Sequence, residues 1–261
     1  MRELPIYQVD AFSNAVFGGN PAAVCPLEAW LPDATLQAIA AENNLSETAF
    51  FLRRGEVYEL RWFTPTIEVD LCGHATLASA QIIFRFIEPD RLRVAFETRR
   101  AGTLIVMRHG DELAMDFPAW PPKAAEAPSG LAVALGRNPI ELLASRDWFA
   151  VYEKEADVAA IKPDFAALRR LDRAVIVTAP GSGGVDFVSR FFAPGAGINE
   201  DPVTGSAHCQ LIPYWAERLG KTRLNARQIS PRGGALVCAI EADRVTIGGQ
   251  ARLYLEGTII V

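Results

Sequence analysis

The chain has 261 residues, half of them hydrophobic and 22% charged, with 31 acidic against 26 basic side chains and a formal net charge of −5. That balance excludes a disordered or collagen-like chain and leaves no basic stripe to neutralise nucleic-acid phosphates. Four scattered cysteines and three histidines show no CxxC or Cys/His spacing, so reduced thiols and no metal are expected.

No stretch gives about 18 uninterrupted apolar residues, so no membrane partner is expected. The opening MRELPIYQVDAF carries Glu3, Pro5 and Asp10 where a secretion signal would be apolar, which points to a cytoplasmic protein.

Leu4–Phe12 reads as a strand, followed by a turn-rich segment, Ser13–Pro21. Asp33–Asn43 has the apolar spacing of a helix that Asn43–Asn44 can end. Glu47–Leu52 and Tyr58–Phe63 read as strands around an Arg54–Gly55 turn, and Ala75–Phe86 as a helix buried on most sides. Leu92–Glu97, Thr103–Arg108 and Glu112–Phe117 form an antiparallel meander. Phe117–Gly130 then carries four prolines, a density that opposes both helix and central strand and suggests a linker. Beyond it, Gly130–Leu135 and Asp164–Leu171 look helical, while Trp148–Val151, Ala174–Thr178 and Phe187–Phe192 look like strands. Pro202–Leu219 is a second small-residue helix, ended by Gly220, and the tail from Gln228 returns to strands.

An internal repeat organises these elements. Arg61-Trp62-Phe63-Thr64-Pro65 recurs 129 residues later as Arg190-Phe191-Phe192-Ala193-Pro194. An aspartate follows each copy, Asp70 and Asp201, and then a helix opening, Gly73-His74-Ala75 and Gly205-Ser206-Ala207. The offset is nearly half the chain, which predicts a duplicated strand–loop–helix module. The expected domains are 1–117 and 131–261, joined by a proline-rich linker at 118–130, with the last strand able to pack back on the first domain.

Each module brings a helix N-terminus to a loop. The unpaired N–H groups and helix dipole there favour a carboxylate or phosphate, and glycine admits close approach. Gly73 and Gly205 are the corresponding positions, and two such termini aimed at one cleft would suit a small carboxylic acid. Asn20, in Gly18-Gly19-Asn20-Pro21, is a candidate third wall of that cleft, though the segment also reads as a plain turn. Glu47 starts an apolar strand, where burial would raise a carboxyl pKa toward neutrality; a solvated strand-start glutamate is the plainer alternative. His74 at its helix start is suited to remain a neutral imidazole, or simply a satisfied core histidine. Asp201 fits an N-cap for a helix opening at Pro202, and Ser206 can bond a carboxylate or serve the helix start.

Asn43–Phe51 (NNLSETAFF), Arg61–Pro65 (RWFTP), Asp70–Ala75 (DLCGHA) and Asp201–Ala207 (DPVTGSA), with Gln8–Pro21 (QVDAFSNAVFGGNP), resemble the PhzF family of phenazine-biosynthesis-like isomerases. The resemblance covers essentially the whole chain. It implies an α+β, diaminopimelate epimerase-like fold: two pseudo-symmetric domains, each a curved, mostly antiparallel sheet around a central helix, with the active site between them. It also implies a homodimer and proton-transfer chemistry without metal or organic cofactor. In the phenazine enzyme the substrate is trans-2,3-dihydro-3-hydroxyanthranilate. By the same resemblance Glu47 is the acid/base, His74 and Asp201 orient substrate and stabilise charge, and Gly73 and Ser206 bind its carboxylate. Related epimerases and proline racemases use paired cysteines, whereas here Cys72 in the first loop has no cysteine counterpart among Asp201–Ser206. A one-carboxylate isomerase is therefore the favoured reading. An amino- or hydroxy-acid epimerase with Glu47 and Cys72 as opposing groups, and a non-catalytic metabolite-binding protein, are the alternatives.

Overall fold

A computed structural model describes residues 2–261. The chain divides into two compact units, Met1–Asp116 with Gly248–Val261, and Phe117–Ile247. Among the described residues no helix is long and apolar enough to cross a membrane.

In the first unit, Glu3–Ala11 pairs antiparallel with Asn20–Leu27 on one side and with Ala251–Ile260 on the other. Asn20–Leu27 runs parallel to Glu47–Arg54, which turns back antiparallel as Val57–Phe63. Val57–Phe63 runs parallel to Arg93–Thr98, and Thr103–His109 and Glu112–Pro118 complete the meander. Parallel neighbours cannot be joined by a tight hairpin, so each parallel pair needs a crossover. The helices Asp33–Asn43 and Gly73–Ile82 supply the two crossovers. Gly73–Ile82 has eight of its ten residues buried, as expected for a helix with apolar and small residues on every side. Its hydroxyls satisfy themselves locally: Thr76 Oγ1 donates to the Cys72 carbonyl at 2.6 Å, and Ser79 Oγ to that of Ala75 at 2.8 Å. A π-helical turn, Ile83–Ile87, extends this helix past its expected end at Phe86.

The second unit repeats the logic. Trp148–Val151 lies parallel to Val175–Pro180, with Glu155–Ala160 and Phe165–Leu168 in the crossover. Phe187–Ala193 lies antiparallel to Val175–Pro180 and parallel to Arg223–Gln228, with Gly205–Leu219 as the crossover helix. Trp148, Tyr152, Val177, Val188 and Phe192 belong to one core cluster, while Trp215 stacks on Phe187 with centroids 5.9 Å apart.

The duplication is visible in side-chain chemistry. Arg61 grips Glu68 through two hydrogen bonds, Nε to Oε1 at 2.7 Å and Nη2 to Oε2 at 2.8 Å. Arg190 grips Glu200 in the same way, at 2.7 and 2.9 Å. Each guanidinium also lies over a phenylalanine, Phe63 at 5.0 Å and Phe192 at 4.9 Å. Such bidentate, stacked geometry needs arginine rather than lysine.

Four expectations change. Asn20–Leu27 is a strand, so Asn20 and Pro21 belong to a sheet rather than to a turn. The helix after Asp201 begins at Gly205, not Pro202; Thr204 is its N-cap, and Asp201 ends the short strand Ile198–Asp201. Asp70 is not the partner of Asp201 in the repeat, because Trp62 pairs with Val69 where Phe191 pairs with Asp201. Asp70 is exposed and ion-paired to Arg100 at 3.0 Å. Finally, the proline-rich stretch is packed into the second unit. The Trp120 N–H donates to the Cys209 carbonyl at 2.8 Å, Arg146 lies 4.5 Å over the Trp120 ring, and Lys123–Ala124 pairs with Glu141–Ala144.

Candidate functional site

In the first unit, the turn from Asn43 to Thr48 delivers Glu47. Asn44 takes a left-handed conformation (φ 49°) and its N–H closes on the Ala40 carbonyl, while Asn43 Nδ2 donates to Thr48 Oγ1 at 3.1 Å. Glu47 then enters its strand opposite Ala22, and its side chain is only 13% exposed. The buried Asn20 starts the neighbouring strand at the same sheet end. The preceding loop is folded onto Asp10, which is buried and whose Oδ2 accepts from the Phe17 N–H at 2.8 Å. Gly19 in that loop has φ +66°, and a Cβ there would lie 2.1 Å from the Ala11 carbonyl oxygen; only glycine fits.

Gly73 and His74 open the central helix of this unit. His74 Nε2 stands 3.3 Å from Glu47 Oε2, a contact at ion-pair range but off the ideal hydrogen-bond line. Burial pushes the imidazole down to about 3, so it is neutral at ordinary pH. A neutral imidazole orients a carboxylate without the strong pull on its basicity that a cation exerts. On the other side of the ring, Nδ1 lies 3.5 Å from the buried Cys72 Sγ. That contact was invisible in the sequence, where Cys72 reads as a small buried hydrophobe.

In the second unit, Asp201 is 9% exposed and accepts a hydrogen bond of 2.5 Å from Thr204 Oγ1. Gln228, fully buried, clamps this loop: its Nε2 donates to the Asp201 carbonyl at 2.7 Å and its Oε1 accepts from the Thr204 N–H at 2.9 Å. Ser230 Oγ adds a bond to the Pro202 carbonyl at 2.8 Å. Gly205 is buried at the helix start and Ser206 is exposed beside it. Thr204 and Gln228 were not anticipated; their 24-residue separation hides the clamp. Glu47, His74 and Gly73 thus gather with Asn20 at one end of the first unit's sheet, and Asp201, Gly205 and Ser206 gather within the second.

One atom from each of Glu47, Cys72 and His74 falls within 4.8 Å of the others, close enough for the trio to hold an ion. The two short contacts, however, engage opposite ring nitrogens of His74, whereas a single ion takes one. The arrangement fits a thiol–imidazole–carboxylate row better than a preformed metal cage.

A family match described as phenazine biosynthesis-like protein, PhzC-PhzF, spans residues 9–257. An uncharacterized isomerase of Pseudomonas aeruginosa is 55% identical over 258 residues, covering 98% of this chain and 99% of the relative. A human phenazine biosynthesis-like domain-containing protein is 39% identical, covering 98% and 99%. A PhzF-family crystal structure from Enterococcus faecalis matches with a TM-score of 0.97 at 49% identity, each chain fully covered. A hydroxyproline epimerase from Agrobacterium vitis shares the α+β fold alone, with a TM-score of 0.60, 11% identity and 99% and 92% coverage. The chain belongs to the PhzC-PhzF family of phenazine biosynthesis-like proteins and is an isomerase of that family.

Proposed function

We propose that the protein isomerises a small carboxylate-bearing metabolite by proton transfer through Glu47, without an organic cofactor. The observation that carries this reading is the largely buried Glu47 carboxylate beside a neutral His74 imidazole at 3.3 Å. A carboxylate withdrawn from bulk water beside a neutral imidazole can take a proton from an activated carbon and return it to another position on the same face. His74 orients it, and the N–H groups at the helix start near Gly73 suit the substrate's carboxylate. By the family resemblance Asp201 and Ser206 serve the same reaction; Gly205 at its helix opening and Asn20 as a wall are further candidates from the residue pattern. The substrate is similar in class to trans-2,3-dihydro-3-hydroxyanthranilate, an unsaturated cyclic amino acid.

A two-thiol epimerase is disfavoured by the repeat, because the helix N-cap corresponding to Cys72 is Thr204. The test is a screen of small cyclic and acyclic amino acids in deuterated water, read by mass shift. Solvent deuterium appearing in a product, with loss of that turnover in Glu47→Gln, supports the proposal. A null result across the screen, with ligand stabilisation that survives Glu47→Gln, would contradict proton transfer through Glu47 on this substrate class.

A further inference from the structure

The side chains at the two helix N-caps are not used for capping. A Thr, Ser, Asp or Asn N-cap ordinarily accepts a bond from the N–H two or three residues on. Neither Cys72 nor Thr204 does so. Thr204 turns its hydroxyl to Asp201 and Cys72 sets its sulfur against His74, so each N-cap side chain contacts a residue assigned above to the reaction. Cys72 is held firmly enough to aim: its carbonyl accepts both the Thr76 hydroxyl at 2.6 Å and the Thr76 N–H at 3.2 Å.

We propose that Cys72 is a positioning residue: its neutral thiol donates to His74 Nδ1 and thereby keeps the imidazole proton on Nε2, facing Glu47. A neutral imidazole carries one N–H and one lone pair. If Nδ1 held the proton, the Nε2 lone pair would face the Glu47 carboxylate across 3.3 Å in a buried site, lone pair against lone pair. With the S–H donated to Nδ1, both contacts are attractive and the row runs thiol to imidazole to carboxylate. The Nε2–H then faces Glu47 Oε2, and no proton travels along the row. In the other arrangement, a thiolate–imidazolium pair, Cys72 would be a base. The depressed basicity of His74 opposes that arrangement. Cys72 therefore does not serve as the second base of an epimerase.

The inference rests on the proposed role of Glu47, but its test reads His74 directly and needs no substrate. The full chain is labelled with ¹⁵N-histidine, and the His74 ring signals are identified by their loss in His74→Asn. The wild type is expected to show unprotonated Nδ1 and protonated Nε2 at pH 7. Cys72→Ser, which keeps a donor, should retain that pattern. Cys72→Ala should lose it, shifting the His74 nitrogens toward a mixture of tautomers while the His208 signals stay in place as a control for intact structure. Thiolate absorbance near 240 nm should not differ at pH 7 between wild type and Cys72→Ser. An Nδ1–H tautomer in the wild type, an unchanged ring in Cys72→Ala, or a thiolate band attributable to Cys72 would each overturn the proposal. An Nδ1–H tautomer in the wild type overturns the proposal even where Cys72→Ala fails to fold. Absence of turnover in the deuterium screen would remove the proposed proton transfer through Glu47 and leave these spectra unaffected.

Discussion

Acidification from pH 7 to pH 5 should destabilise the protein through two histidines. Burial lowers His74 to about 3 and His208 to about 4, both from an ordinary value of 6.5. A basic group with a depressed folded pKa is neutral in the native state and takes up a proton on unfolding. Its contribution is therefore intact above the unfolded pKa, near 6.5, and is lost progressively as pH falls toward the folded value. At about 1.4 kcal/mol per pKa unit, each histidine loses roughly 2 kcal/mol between pH 7 and pH 5, so about 4 kcal/mol disappears in total. That is a large share of a typical stability of 5–15 kcal/mol. Carboxylates with ordinary values titrate mostly below this window. The assay is urea unfolding followed by tryptophan fluorescence across the pH series, with proton uptake measured at pH 5.5. About two protons should be bound per chain on unfolding there, and His208→Gln should remove about one. A urea midpoint unchanged from pH 7 to pH 5, or proton uptake near zero, would refute the reasoning.

Three further predictions concern the scaffold. Leu77 is fully buried in the central helix of the first unit, so Leu77→Ala should cost about 2–5 kcal/mol in urea unfolding. Gly19→Ala combines a left-handed backbone with a carbonyl contact at 2.1 Å and should cost more than about 2 kcal/mol. Gly55→Ala, left-handed but with open space around it, should lower the urea midpoint far less. Gln228→Ala removes the bond from Gln228 to the Asp201 carbonyl and leaves the buried Thr204 N–H without its Gln228 acceptor, at about 1–3 kcal/mol for that donor. Hydrogen exchange at Thr204 should accelerate, and any turnover found should fall even where the global melting temperature is retained.

Much of the fold was legible where one residue type has one physical reading. The small-residue run after Gly73 and the meander from Arg93 to Pro118 are of that kind, as is the 129-residue repeat. Asn20–Leu27 was not, because Gly18, Gly19, Asn20 and Pro21 read as the end of a turn-rich segment. It has no polar alternation because most of its residues are buried between strands on either side. The pairing of Asp70 with Asp201 followed letter identity, whereas backbone register pairs Val69 with Asp201; an exposed aspartate and a buried one look alike in sequence. Pro202 suggested a helix start through its favoured first-turn position, but the loop clamped by Gln228 and Ser230 delays the helix to Gly205. Of the candidate site, Glu47 and His74 could be named from their motifs, but their 3.3 Å contact depends on how strand and helix pack. The Cys72–His74 contact depends on a rotamer at an N-cap, which no sequence pattern encodes.

The most direct measurement is turnover of a substrate from the deuterium screen by wild type and by Glu47→Gln, with both proteins shown to be folded by circular dichroism. Replacing a proton-transferring carboxylate by an amide should lower kcat by about 10²–10⁴-fold and abolish solvent deuterium in the product. Turnover by Glu47→Gln within about tenfold of wild type would contradict a mechanism built on this carboxylate.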